Sequence, residues 1–274
     1  MDHLTLQEPY VNAILAKFNF TNAKPVSAPL NPHAQLSKSQ SPQTTSKIAQ
    51  MCNILYHQAT GSLIHLTAGM RPNITFTTLY VCQFNSNPGL PHWEAIKRIY
   101  WYLVGTRVWM LTFGTHTHGL VSYVDTDSAT QEHHRVVTGF AFLIDGGTIL
   151  WGLKKQELIT LSTAESEYVT ATHTAKEAIW LCRLISKMFR PLKQPTILYG
   201  NNQSVIMLTK DSSFHACTKH IDIHYHFIHF SIEQGHICSL YCPTNSMIAD
   251  TLTGVLLSIK AKHFAFKLGL CPSI

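Results

Sequence analysis

Charge is scarce in this sequence: only 13% of its 274 residues are Asp, Glu, Lys or Arg, whereas 45% are hydrophobic. No apolar run approaches the roughly 18 residues that cross a bilayer. The first residues, MDHLTLQEPY, lack the basic and apolar segments of a secretory signal. We therefore expect an intracellular protein with a sizeable core and no membrane partner.

The cysteine pattern lacks the features of a disulfide framework and of a simple zinc motif. Seven cysteines is an odd number, and no C-x-x-C occurs. A dense His/Cys cluster nevertheless suggests one alternative, a zinc-stabilised interaction protein. Against it, Cys238 and Cys242 sit in an apparent strand, where four residues span about 13 Å. The members are His215, Cys217, His220, His224, His226, His229, His236, Cys238 and Cys242.

Basic residues are concentrated in the front half. Residues 1–115 carry eight Lys or Arg against three Asp or Glu, whereas residues 116–274 carry thirteen against twelve. A basic surplus suits a polyanionic partner, because each neutralised phosphate releases counterions. An ordinary solvated surface explains so small a surplus equally well.

Hydrophobic periodicity predicts short helices in the front half. Helical spacing of apolar residues favours helices over 5–18, 47–67 and 91–104, and the polar stretch 24–46 is typical of a linker. The anchors expected for the second helix are Ile48, Met51, Leu55 and Leu63.

The pattern changes near residue 118, where three β-type runs predict an antiparallel meander. Asp145-Gly146-Gly147 is a hairpin signal between the second and third runs. The order of the following elements predicts an α/β domain on a mixed sheet. These elements are a helix at 163–188, a strand at 196–200, helices at 203–210 and 219–233, a strand at 237–242 and a helix after Asn245.

Acidic residues recur at places that suit a two-metal site. Asp125 and Asp127 share one face of the first strand by alternation, and Asp125 lies nearer its centre. On the long helix, Glu167 falls closer than Glu165 to the apolar stripe that should face the sheet. Asp250 begins the last helical region, where an acid is also an ordinary helix cap. Such carboxylates could hold two divalent ions about 4 Å apart.

Ordered blocks of the sequence resemble the ribonuclease H domain of Copia-type LTR retrotransposon polyproteins. The blocks are SYVDTDSA, LKKQELITLSTAESEYVTA, AKEAIWL, PTILYGNNQSVI, FHACTKHIDIHYHFI and NSMIADTLTG. Upstream, AKPVSAPL, TGSLIHLTAGMRPNI and HWEAIKRIYWYLVGT resemble the thumb and connection that follow the reverse transcriptase palm. The resemblance implies a mostly helical thumb/connection remnant at 1–115. It implies a ribonuclease H-like domain at 116–274, with a mixed five-stranded sheet and flanking helices. The palm motif is absent, so we expect no polymerase activity.

The same resemblance implies that the chain derives from an endonuclease that cuts the RNA strand of an RNA–DNA hybrid. Its four catalytic positions fall on Asp125, Glu167, Asn201 and Asp250. The implied cofactor is two Mg²⁺ or Mn²⁺ ions, held here by Asp125, Glu167 and Asp250. Asn201 stands where the family has aspartate, so we expect weak or no cleavage, because an amide brings no charge to the ions. The remainder of a Pol polyprotein is the expected ancestral partner.

A second alternative is a non-catalytic module that binds the hybrid, or an inert relic. Recognition of backbone shape and 2′-hydroxyls does not require the metals. Candidate nucleic-acid contacts near the groove are Lys154, Lys155, Asn202, Gln203 and Lys219.

Further departures from the family pattern replace charged residues. Asn73 stands for an expected Asp and Gly254 for an expected Lys. Arg-to-Cys, Arg-to-His and Asp-to-Asn changes each need one C-to-T or G-to-A change, which suggests decay of a silenced element as a hypothesis. Positions where the family tends to have Arg or Lys are Cys182, Ala216, Cys217, His224 and His229.

Overall fold

Nine α-helices and seven strands are assigned within the part of the chain that the computed structural model describes, together with three short 3-10 helices. That part comprises residues 7–114, 119–127, 137–155, 163–189, 192, 194–201 and 222–272. The helices are α1 Gln7–Lys17, α2 Thr45–Cys52, α3 Tyr56–Gly69, α4 Thr75–Cys82, α5 Leu90–Gly105, α6 Thr163–Met188, α7 Asp222–Glu233, α8 Asp250–Thr253 and α9 Ser258–Lys267. The strands are β1 Trp109–Leu111, β2 Val121–Asp127, β3 Val137–Ile144, β4 Gly147–Lys155, β5 Thr196–Gly200, β6 Ile237–Tyr241 and β7 Leu270–Pro272.

Two compact units make up the chain. Unit 1 contains residues 1–112 together with 255–274, and unit 2 contains residues 113–254. The domains predicted from the sequence, 1–115 and 116–274, differ from these units because residues 255–274 pack with the front unit. The boundary between the two functional regions stays a prediction. None of the described helices combines the length and the apolarity needed to cross a bilayer.

Unit 1 is built on helices whose apolar stripes meet. Leu63 of α3 and Ile96, Tyr100 and Leu103 of α5 are fully buried together. The predicted helices at 5–18 and 91–104 are confirmed as α1 and α5, within a residue or two at each described end.

The helix predicted over 47–67 is wrong in two respects. It is broken at 53–55 into α2 and α3, and the expected anchors Ile48 and Leu55 are 52% and 51% exposed. Met51 and Leu63, one on each helix, are buried as expected. Because the break changes the direction of the chain, one stripe drawn through both helices cannot face a single core.

A second small sheet joins the ends of unit 1. Strand β1 pairs antiparallel with β7, with Met110 opposite Cys271. Trp109, Ala265 and Leu270 are buried together beside it. No local pattern predicts this pairing, because its partners lie more than 150 residues apart in the sequence.

Unit 2 contains the predicted mixed five-stranded sheet, which is confirmed. Its strand order is β4-β3-β2-β5-β6. The first three sequential strands are antiparallel, and β5 and β6 add parallel to β2. This is the ribonuclease H-like arrangement that the resemblance implied. The helix predicted at 203–210 lies outside the described residues.

The β3–β4 hairpin has the turn that its sequence favours. Asp145 and Gly146 have φ of 49° and 85°, and Ile144 pairs with Gly147. Two successive positive φ values match the twist of the flanking strands. The turn therefore sets the register of the first pairs of β3 and β4, and an irregularity between Phe142 and Leu143 shifts the register of the remaining pairs.

The two faces of this sheet are covered by different elements. On one face, Ala175 and Ala178 of α6 pack with Phe142 and Leu198 in the main core of the unit. On the other face, Tyr123 and Tyr199 pack against Cys242, Met247 and Ala249. The predicted helix at 163–188 is confirmed as α6, and its buried Ala175 faces the sheet as expected.

Candidate active site

Asp125 and Asn201 meet at the ends of two neighbouring parallel strands. In the register of β2 and β5, Val124 lies beside Gly200, so the next residues along each strand are Asp125 and Asn201. The Asn201 amide Nδ2 donates to Asp125 Oδ1 at 2.9 Å. The side chain of Asp125 is buried, with 8% of its surface exposed.

The second oxygen of Asp125 is engaged from the short helix α8. Thr253 Oγ1 donates a buried hydrogen bond to Asp125 Oδ2 at 2.5 Å. Both carboxylate oxygens therefore accept hydrogen bonds from neutral donors, which stabilises the charged form of a buried acid.

A glycine opposite Asp125 lets α8 approach the sheet. Gly139 of β3 pairs with Asp125 across the ladder. A Cβ at this position would lie 2.7 Å from Thr253 Cγ2 and 2.9 Å from Leu252 Cβ. The absence of a side chain at 139 is thus a condition for the Thr253–Asp125 hydrogen bond.

Two tyrosines lie on the same sheet face as the acid and the amide. By strand alternation, Tyr123 shares a face with Asp125 and Tyr199 shares a face with Asn201. The two rings stack, with centroids 4.9 Å apart. Burial, with smaller effects from Tyr199 and Cys242, raises the pKa of Tyr123 to about 12. The phenol of Tyr123 is therefore neutral at physiological pH, and the stacked rings form an uncharged packing surface beside Asp125 and Asn201.

Glu167 is carried by α6, which covers the opposite face of the sheet. Three residues further along the helix, Thr170 Oγ1 lies 3.1 Å from Thr126 Oγ1 and 2.7 Å from Thr138 Oγ1. The turn of α6 that carries Glu167 is therefore near the end of β2 that carries Asp125. Glu167 is half-buried, and its role as a ligand stays a prediction.

Asp250 is the first residue of α8, three positions before Thr253. It is half-buried, and its carbonyl oxygen accepts from the Gly254 backbone N–H at 3.1 Å. Among the described residues, no group of three or more His, Cys, Asp or Glu is placed to hold a metal ion. The structure thus joins Asp125 to Asn201 and Thr253 by hydrogen bonds, and the ligand roles of Glu167 and Asp250 stay predictions.

The His/Cys cluster is only partly within the described residues. His215, Cys217 and His220 lie outside them. Cys238 lies in β6, and the buried Cys242 directly follows that strand.

Of the predicted nucleic-acid contacts, Lys154 is fully described. It is exposed on β4 and pairs with Thr138 of β3. Thr138 in turn pairs with Thr126 of β2. Lys154 is therefore in the row of the sheet next to Asp125. The backbone of Lys155 belongs to β4, but its side chain lies outside the described part of the chain, as do Asn202, Gln203 and Lys219.

Sequence reasoning missed Thr253 and Gly139 as parts of this site. Each left a signal: Thr253 follows Asp250 by three residues on the same short helix, and Gly139 interrupts an otherwise bulky strand. A glycine inside a strand often marks close approach of another backbone. Neither signal identifies Asp125 as the partner.

The curated relatives of this chain include retrovirus-related Pol polyproteins from transposons. No family model matches the chain. The retrovirus-related Pol polyprotein from transposon TNT 1-94 of Nicotiana tabacum is 41% identical over 251 residues, which cover 91% of this chain and 19% of the relative. The corresponding protein from transposon RE1 of Arabidopsis thaliana is 32% identical, over 98% of this chain and 18% of the relative.

Among solved structures, LC11-RNase H1, crystallised with an RNA/DNA hybrid, aligns with 49% of this chain and 93% of its own. The sequence identity is 10% and the TM-score is 0.38. The strand order of the sheet, rather than this likeness, is the basis of the fold assignment.

The present chain spans about a fifth of the length of the curated relatives that it matches. Identity of 41% and 32% extends over nearly all of it, through both units. The ordered motifs, the mixed sheet and these relatives agree, and the chain corresponds to a segment of the retrovirus-related Pol polyproteins of Copia-type transposons.

Proposed function

We propose that unit 2 is the ribonuclease H part of a Copia-type Pol polyprotein, with the RNA–DNA hybrid as its substrate class, and that this copy is disarmed for cleavage. The observation that carries the second part is the hydrogen bond from Asn201 Nδ2 to Asp125 Oδ1. In the family pattern, position 201 is an acid. Here it is a donor directed at the central carboxylate of the site.

The donor set at Asp125 is a poor match for two divalent ions. Magnesium binds carboxylate oxygens through their lone pairs and requires near-ideal octahedral geometry. At Asp125, an N–H of Asn201 and the hydroxyl of Thr253 are each directed at one of these oxygens. An ion would have to displace both donors, and it would meet one negative charge fewer than in a site with four acids. We therefore assign no catalytic step to a metal in this chain.

In place of a cation site, Asn201 and Asp125 form a hydrogen-bonded pair that needs no ion. An aspartate at 201 would stand within hydrogen-bonding distance of Asp125, and two such carboxylates repel each other unless a cation or proton lies between them. The amide removes that repulsion and lets the site pack without an ion. This gives a physical reason why Asn201 is compatible with the fold while opposing the ancestral chemistry.

Cleavage of a labelled RNA–DNA hybrid with Mg²⁺ or Mn²⁺ tests the proposal. The expected result is no cleavage by the unmodified chain, cleavage by Asn201→Asp, and loss of that cleavage on adding Asp125→Asn. A matched control is Asn245→Asp, the same chemical change on an exposed residue that follows β6. Asp125-dependent cleavage by the unmodified chain would overturn the proposal, as would an Asn201→Asp protein no more active than the parent.

Binding of the hybrid without cleavage is the second candidate function, and the position of Lys154 favours it. This exposed lysine lies on the edge strand, in the row of the sheet next to Asp125. We expect the affinity for a labelled hybrid to fall with salt, and Lys154→Ala with Lys155→Ala to reduce the magnitude of the log–log slope by about 1–2. Absence of binding at low salt would remove this candidate.

A further inference from the structure

A pocket with two basic residues in its lining lies at the opposite end of the sheet from Asp125. Strands β5 and β6 run parallel, and Asn201 follows the carboxyl end of β5. The pocket has a volume of about 400 Å³ and is lined by residues that precede these strands and by the last turns of α6. It is therefore separated from Asn201 by the length of β5, roughly 17 Å at 3.3 Å per residue. The lining residues are Cys182, Arg183, Ser186, Lys187, Leu192, Gln194, Gly235 and His236.

Among the described residues, the lining of this α6 basic pocket is rich in hydrogen-bond donors and contains no acid. Arg183 and Lys187 supply two positive charges, while Ser186, Gln194 and His236 supply further polar groups. Within the described ranges, neither Arg183 nor Lys187 forms an ion pair, since the one salt bridge found there joins Glu94 to Lys97. Two cations without counterions around a concave surface are suited to an oxyanion.

The sequence around the pocket is segregated by charge. Between Glu177 and Asp211 there is no acidic residue, whereas Arg183, Lys187, Arg190 and Lys193 recur every three to four positions. Cations in the last turn of a helix also complement its dipole, which accounts for Lys187. The dipole does not account for Arg183, more than a turn earlier.

An exposed aromatic residue continues the same helix face. Trp180, Arg183 and Lys187 recur at i, i+3 and i+7, so they lie on one stripe of α6. The Trp180 side chain is 53% exposed, and Phe189, just past the helix, is 78% exposed. Aromatic faces beside phosphate-binding cations are the combination that holds single-stranded nucleic acid, because unpaired bases stack while their phosphates pair with the cations. A duplex offers the phosphates but not the base faces.

We propose that the α6 basic pocket is a binding site for single-stranded nucleic acid. Arg183 and Lys187 contact backbone phosphate, and Trp180 stacks on a base. The site uses neither Asp125 nor Asn201, so it does not depend on the cleavage chemistry or on the hybrid-binding surface near Lys154.

Fluorescence anisotropy of labelled oligo-dT and oligo-U, about 12 nucleotides long, with the full chain at low salt tests the proposal. We expect Arg183→Glu with Lys187→Glu to weaken binding at least tenfold. The matched control is Lys24→Glu with Lys47→Glu, which makes the same change in net charge on exposed lysines of unit 1; it should weaken binding less than threefold. Trp180→Ala should weaken binding about 5- to 100-fold, the range that loss of one stacked base implies.

Additional arms separate the possible ligands and guard against misfolding. Circular dichroism melts verify each variant, and Arg183→Gln with Lys187→Gln replaces the double glutamate if that variant does not fold. Equal binding by the charge-changed pair and its control would overturn the proposal. Equal affinity for duplex and single-stranded nucleic acid would also overturn it. Full competition by inorganic pyrophosphate, combined with no effect of Trp180→Ala, would overturn it as well and would indicate that the ligand is a small phosphate compound. Asp125→Asn should leave single-strand binding unchanged, so failure of the nuclease proposal and failure of this one give different results.

Discussion

The amide of Asn201 donates to the carboxylate of Asp125, with 2.9 Å between Nδ2 and Oδ1, across 76 positions of sequence. Under the proposed function, the contact puts a donor and an acceptor where an active ribonuclease H site would have two acids. Its consequences can be measured without any activity assay.

Asn201→Asp should make the stability of the chain depend on divalent metal. Without metal, we expect the free energy of unfolding to fall by about 1–3 kcal/mol, because a hydrogen bond to a buried charge is lost and a repulsion is gained. With Mg²⁺ at a hundred times its dissociation constant, binding should return about 2.7 kcal/mol. Thermal melts of the parent and Asn201→Asp, each with EDTA and with Mg²⁺, check this, and an equal response of both proteins to Mg²⁺ would contradict it.

The same variant carries a pH signature. Two adjacent carboxyls raise the pKa of one of them above its ordinary value. An acid with a raised folded-state pKa destabilises the fold above that pKa, and the loss is relieved as the pH falls and the group takes up a proton. The deficit of metal-free Asn201→Asp relative to the parent should therefore shrink from neutral pH toward mildly acidic pH; a deficit that grows on acidification would exclude a repelling pair.

Thr253→Val should destabilise unit 2. Valine keeps the shape of the side chain, including the methyl against Gly139, but leaves Asp125 Oδ2 without its buried donor. Losing a hydrogen bond to a charged group costs about 1.5–3 kcal/mol. Thr251→Val is the matched control, because Thr251 Oγ1 is buried and has no hydrogen-bond partner among the described residues, so its replacement should be neutral or stabilising. Urea unfolding measures the free energy of unfolding of both variants. Equal decreases in the two variants would argue against a specific role for the Thr253 hydroxyl.

Gly139→Ala should separate α8 from the sheet. The added methyl would lie 2.7 Å from Thr253 Cγ2, 2.9 Å from Leu252 Cβ and 3.3 Å from the Ala249 carbonyl oxygen, so the helix must move. Overpacking of this kind costs about 1–3 kcal/mol. Gly200→Ala in β5 is the control, since no atom of the described residues lies within 4 Å of a Cβ built there. If the two alanine variants unfold at the same denaturant concentration, the close approach of α8 is not required.

Asn73→Asp should stabilise unit 1. Arg71 is fully buried and donates to the Thr106 carbonyl and hydroxyl oxygens, but among the described residues it forms no ion pair. Burial lowers the pKa of Arg71 to about 10, so it is charged at neutral pH. Asn73, two positions further along the chain, is also buried, and its Nδ2 donates to the Tyr102 hydroxyl at 2.7 Å. Its Oδ1 has no hydrogen-bond partner within the described part of the chain.

A carboxylate at position 73 would provide the missing counterion, and we expect about 1–2 kcal/mol of added stability at pH 7. A guanidinium lowers the pKa of such an acid, so the gain should be present above about pH 4 and be lost as the pH falls further. Asn12→Asp on the exposed face of α1 is the matched control, with an expected change within about 0.5 kcal/mol. A decrease in the melting temperature of Asn73→Asp at pH 7 would mean that desolvation of the new charge outweighs the ion pair.

Local sequence pattern accounts for much of the fold. The apolar stripe and length of α6, the alternation in β2 to β4 and the Asp145-Gly146 turn are encoded by residues within a few positions of each other. Such short-range signals are reliable because helix and strand periodicity depends only on neighbours in the chain. The error at α2 and α3 arose where two helices in succession each had an apolar stripe, which periodicity alone does not separate.

The amino-acid sequence by itself determined the candidate residues for the proposed chemistry, the acid at Asp125 and the amide at Asn201, and the family that the ordered motifs resemble. Only the tertiary structure decided that the Asn201 amide faces Asp125, that Thr253 binds the same carboxylate from 128 positions away, and that residues 255–274 pack with the front unit. The physical reason is that long-range contacts are selected by the fit of whole surfaces, such as α8 against the bare backbone of Gly139, and no single segment contains that fit.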